Sequence, residues 1–180
     1  MSKKEFAEFI SRQVPAAPPE PPPDWAAELR QWLQHLVELY VLVDSALADF
    51  TAKGQIVVEH REIDLTEENI GRYKAPSRTI KFGTNTISMV PIGTLLIGTK
   101  GRVDMTGPRG VIRFILADKS STGVRVTVQV ITAGVPPPEP SAPRKIDWEW
   151  KMVLRNTGMP KYQKLTPEVF LDALMEIANG

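Results

Sequence analysis

Few residues in this chain have the types and spacing that chemistry requires. Cysteine is absent and only two histidines occur, His35 and His60. Thiolate metal sites, a cysteine nucleophile and disulfides are therefore excluded. His60, Glu62 and Asp64 recur at period two within Glu59-His60-Arg61-Glu62-Ile63-Asp64. On a strand these three share one face, where an imidazole and two carboxylates could meet a divalent metal. The plainer reading is a solvated strand face, which shows the same polar alternation. No serine signature surrounds Ser45, Ser88 or Ser120, and Gly93, Gly98, Gly101, Gly107 and Gly110 have neither dinucleotide-binding nor P-loop spacing. The sequence thus implies no cofactor, and an enzyme is the less favoured reading.

A second candidate chemistry is anion or nucleic-acid binding. Arg72 and Lys74 fall in an expected loop, Arg109 at an expected turn, and Lys81, Arg102, Arg113, Arg125 and Lys151 on the polar alternates of expected strands. Single-strand binders add exposed aromatics on which bases stack. Here only Tyr73 lies among the cations, so nucleic acid is not the favoured partner. Arg102 and Asp104 share a strand face and suit an ion pair. Trp148 and Trp150 alternate with Asp147, Glu149 and Lys151 and read as core.

The formal net charge of +1 hides an asymmetry. Residues 1–71 hold 6 Lys/Arg against 13 Asp/Glu, whereas residues 72–180 hold 16 against 8. Either the second part offers a basic surface, or the two parts lie against each other in the fold.

The elements that would position these residues begin with an N-terminal arm and proline-rich linker, residues 1–23. Phe6, Phe9 and Ile10 have helical spacing within residues 3–14, and six of the nine residues 15–23 are proline. Such a spacer is stiff and extended. Residues 24–180 read as a single α+β domain with a proline-rich loop at 135–143. Asp24 is an N-cap, and Leu29, Trp32, Leu33, Leu36, Tyr40, Val43, Leu47 and Phe50 follow a helical period up to Lys53-Gly54. A helix of this extent is roughly 44 Å long. It is long for a domain whose radius of gyration is about 15 Å.

Strands are expected over residues 55–64, 78–82, 86–91, 95–98, 102–106, 111–118, 124–131 and 145–155, with residues 65–75 irregular and one helical turn at 66–69. The short connections, among them Gly83-Thr84-Asn85 and Gly107-Pro108-Arg109-Gly110, suit an antiparallel meander of about six to eight strands. Thr166-Pro167-Glu168 opens a closing helix that carries Val169, Phe170, Ala173, Leu174 and Ile177 on one face.

The middle of the long helix, Leu39-Tyr40-Val41-Leu42-Val43, is apolar on more than one side, which exceeds what one sheet needs. We therefore expect a non-enzymatic interaction or accessory protein that assembles with a protein partner or a second copy of itself. Trp32, Leu36, Leu39, Tyr40 and Val43 are the expected contact residues, helped by the arm. No apolar run approaches the roughly 20 residues of a membrane span, and no secretory signal is evident. A soluble, cytoplasmic protein without a membrane partner is the corresponding expectation.

Overall fold

The computed structural model describes residues 23–94, 99–123, 146–154 and 160–179. Helix α1 (Trp25–Ala52) starts where expected, because the Asp24 carboxylate accepts from the Ala27 N–H at 3.0 Å. It ends where Lys53 and Gly54 depart from the helix, with Gly54 at φ 69°. Among the described residues seven strands follow in an antiparallel meander whose spatial order is the chain order: β1 (Val57–Glu67), β2 (Gly71–Phe82), β3 (Asn85–Gly93), β4 (Gly101–Gly107), β5 (Gly110–Asp118), β6 (Trp148–Leu154) and β7 (Lys161–Lys164). Helix α2 (Pro167–Asn179) closes the order. The expected α+β class, with a long first helix and a short last one, is what the chain forms.

One sheet face and the two helices enclose the core. Ile80, Ile87, Met89, Val103, Met105, Phe114 and Leu116 from the strands meet Trp32, Leu36, Tyr40, Val43 and Leu47 of α1 and Phe170 and Ile177 of α2. Trp32 and Trp150 lie tilted with centroids 6.0 Å apart, and Phe114 meets Phe170 at 6.5 Å. The Trp150 indole N–H donates to the His35 carbonyl at 2.9 Å. On the opposite face of β5, Ile115 and Ala117 are also buried, and Ile115 is the register partner of Lys151.

Residues 65–75 correct the sequence reading. They are neither irregular nor helical, but the distal half of a long hairpin in which Val57 pairs with Lys81 and Glu67 with Gly71 in unbroken register. The turn is made by Glu68, Asn69 and Ile70, with Gly71 at φ 83°, a left-handed conformation glycine adopts without a Cβ penalty. The pattern was obscured because the buried side changes along the hairpin. Near its root the inward residues are Val58 and Ile80; beyond Arg78, the last residue of β2 paired to β3, they are Ile63, Leu65, Tyr73 and Ala75. A single alternation therefore does not run through either strand.

Strand β7 was not expected from the sequence, and its four residues pair with β6. The expected strands at 95–98 and 124–131, the arm and linker up to residue 22, the 135–143 loop and Arg125 lie outside the described residues. Among the described residues no helix is long and apolar enough to cross a membrane.

Candidate functional site

The five side chains expected to meet a partner are spent on the chain's own sheet. Trp32, Leu36, Leu39, Tyr40 and Val43 are at most 1% exposed. The apolar excess of α1 lies instead at Val37 and Val41, which are 50% and 59% exposed. The stripe facing the sheet is broad enough to take Leu39, Tyr40 and Val43 together, which leaves Val37 and Val41 outside.

The three candidate metal ligands do share a face, but they do not converge. Residues two apart on a strand are separated by about 6.6 Å, so His60 and Asp64 stand about 13 Å apart along the backbone. Metal–oxygen and metal–nitrogen bonds of about 2.0–2.6 Å cannot bridge that span. Each carboxylate also has a cation: Glu62 lies 3.6 Å from Lys74, and Asp64 lies 3.2 Å from Arg72. Among the described residues no group of three His, Cys, Asp or Glu is placed to hold a metal ion.

The basic candidates are largely matched by acids. Lys81 pairs with Glu59, Lys74 with Glu62, Arg72 with Asp64, and Arg102 with Asp104 at 2.7 Å. The first three are diagonal pairs across the β1–β2 hairpin, since Asp64 stands opposite Lys74 and Glu62 opposite Pro76. Hydrogen bonds from Lys81 and Arg61 hold the Glu59 carboxyl below the usual carboxylate range, and the Arg72 bond does the same for Asp64. The charge asymmetry is thus spent, in this hairpin, on acidic and basic segments lying side by side. Arg109, on the β4–β5 turn, and Arg113, on β5, are exposed. Lys151 was misplaced on a solvent face; it is 4% exposed, and its ammonium donates to the carbonyls of Asp118, Lys119 and Ser121 at 3.0, 2.9 and 2.6 Å.

Two polar clusters escaped the sequence reading because each joins distant segments. In one, the Glu67 carboxylate accepts from the Thr94 N–H at 2.9 Å, the Thr94 hydroxyl at 2.7 Å and the Tyr73 hydroxyl. Burial first, and the Glu67 carboxylate second, push the Tyr73 hydroxyl well above its ordinary range. This carboxylate clamps the end of β3 to the hairpin, and its bonds are directed inward to the fold. In the other, Arg78 forks onto Asp44 at 3.2 and 3.0 Å and lies 4.5 Å from the Tyr40 ring centroid. His60 reaches the edge of that cluster, 3.9 Å from Asp44.

The feature best suited to receive another molecule is apolar. A groove of about 480 Å³ opens between the end of α1, the end of β2 and the outer side of α2. Phe50, Ile56 and Phe82 form one wall, and Leu171, Leu174 and Met175 the other. Phe50 is 39% and Met175 60% exposed, so large apolar side chains face solvent at its mouth. Glu168 and Asp172 form its rim. The Glu168 carboxyl is held below its ordinary range by its own backbone N–H and the Thr166 hydroxyl, both at the start of α2. Helical periodicity in α2 and the apolar end of α1 were legible in the sequence. Their meeting with Phe82 was not, since it joins three elements.

No family model matches the chain, and neither a curated protein nor a solved structure was found to match it.

Proposed function

We propose that this chain is a non-enzymatic interaction or accessory protein that takes an apolar, helical segment of a protein partner into the groove between α1, α2 and the end of β2. The observation that carries the reading is the groove itself: six large apolar side chains line an open cleft whose rim is acidic. Its volume falls within the range of about 300–1,000 Å³ typical of ligand sites. Its open make-up from two helices and a strand end suits an amphipathic helix that anchors side chains at i, i+3, i+4 and i+7. Acidic rim residues favour a segment with basic flanks.

The basic-face and metal alternatives draw less support. A surface whose cations are already paired gains little by exchanging them for phosphates. The His60, Glu62 and Asp64 side chains are strung out along the strand rather than gathered.

Selection of helical peptides from a random library against the full chain tests the proposal. Selected peptides are expected to carry apolar residues at helical spacing and to bind Met175→Glu at least about tenfold more weakly, a loss of roughly 1.4 kcal/mol. Met175 is exposed, so this change leaves the core intact. Peptides that bind the variant and the parent equally would place the interaction elsewhere.

A further inference from the structure

We infer that the groove is occupied by the N-terminal arm, residues 3–14, of a second copy of this chain; the inference rests on the groove being a protein-docking site. Three observations carry it. First, the arm has the required pattern. Phe6, Phe9, Ile10 and Val14 stand at i, i+3, i+4 and i+8, and Lys3, Lys4 and Arg12 flank them.

Second, the charges match. Helix α2, which forms one wall, carries Glu168, Asp172 and Glu176 and no basic residue. Lys3, Lys4 and Arg12 against Glu5 and Glu8 leave residues 3–14 with a net charge of +1, opposite in sign to that wall.

Third, the arm leaves the domain at the wrong end to fill its own groove readily. The linker joins α1 at Pro23, whereas the groove is lined by Phe50 near the other end of the same helix. The 25 residues from Trp25 to Phe50 rise about 38 Å. Eight residues, 15–22, can span at most about 29 Å in any conformation, so Val14 falls short of Phe50 of its own chain. A two-fold pairing with the α1 helices antiparallel brings Pro23 of one copy towards Phe50 of the other. It is also self-complementary, because each copy gives one arm and receives one. Six prolines among residues 15–23 restrict the backbone of the spacer, which limits the entropy lost on docking.

The absence of cysteine makes the test direct. Phe6→Cys and Met175→Cys are prepared as separate full-length variants, the second is activated as a mixed disulfide, and the two are mixed. A disulfide-linked species of twice 20.0 kDa is expected. It should form at least about tenfold faster than with an equally activated Arg113→Cys, an exposed site on β5, reflecting a high effective concentration. Equal rates at the two sites would overturn the arm as occupant, even if selected peptides still bind the groove. A Phe6→Cys/Met175→Cys double variant that closes within one chain at high dilution would overturn the assignment to a second copy. Rapid cross-linking without any selected peptide would still support the inference, because an arm already seated in the groove excludes competing peptides.

Discussion

Gly101 lies directly beneath the indole of Trp32: a Cβ built on the glycine would stand 2.2 Å from Cζ3 and 2.7 Å from Cε3 of the ring. The sequence shows Gly101 as a turn residue before a strand, yet its role is to let the first third of α1 come down onto β4. Trp32 is fully buried there, and its ring also meets Trp150. Strands β4 and β6 are thereby tied to the helix through one side chain.

The consequence for Gly101→Ala is a forced shift of a large, enclosed ring rather than a rotation into space. Overpacking of this kind costs about 1–3 kcal/mol. Urea denaturation is expected to show a lower midpoint with an unchanged slope, because the same surface is exposed on unfolding. An unaltered midpoint would mean that the helix can lift off β4 without loss.

Lys151→Met is expected to destabilise the protein by about 2–4 kcal/mol, even though methionine fills a similar volume. The ammonium bonds three backbone carbonyls in the 118–121 turn, and removing it takes three charge-assisted bonds from part-buried acceptors. Thermal unfolding of the two proteins measures the loss. The turn should also become more accessible to proteases, since its carbonyls are what the lysine gathers.

Stability should fall at high pH, and the sign follows from two tyrosines. Burial pushes the hydroxyls of both Tyr40 and Tyr73 above the ordinary value of 10.0. Tyr40 donates to the Met89 carbonyl at 3.3 Å, and Tyr73 to Glu67. Both are held protonated in the fold, while the unfolded chain releases those protons near pH 10. The native state therefore binds more protons above that pH, so the contribution of these groups is complete below about pH 10 and declines as pH rises towards the folded values. Denaturant titrations at about pH 8 and pH 11 should show the decline, and Tyr40→Phe should make it shallower.

Much of the architecture was legible in local patterns, and the exceptions have a shared physical origin. Asp24 and Gly54 bound α1 because capping is a local matter, and Gly83, Gly107 and Gly110 mark turns for the same reason. Thr166 and Pro167 announce α2, where the Thr166 hydroxyl accepts from the Val169 N–H at 3.3 Å. The β1–β2 hairpin was missed because its buried side changes partway, so neither strand shows one alternation. Strand β7 was missed because four residues, Lys161-Tyr162-Gln163-Lys164, are too short and polar to show a pattern at all.

The residues by themselves determined most element types, the antiparallel order where connections are short, and the absence of any thiol chemistry. They also determined that α1 must bury a broad apolar stripe. Which side chains that stripe would spend inwardly, and which it would leave outside, was decided only when α1 met the sheet. That contact took Trp32, Leu36, Leu39, Tyr40 and Val43 into the core and left Val37 and Val41 in solvent. The same holds for charge: composition showed an acidic and a basic part, but only the β1–β2 register set Asp64 beside Arg72 and Glu62 beside Lys74. The groove is tertiary in the strictest sense, since Phe50, Phe82 and Met175 are far apart in the chain and form one surface only because the ends of α1 and β2 meet the side of α2.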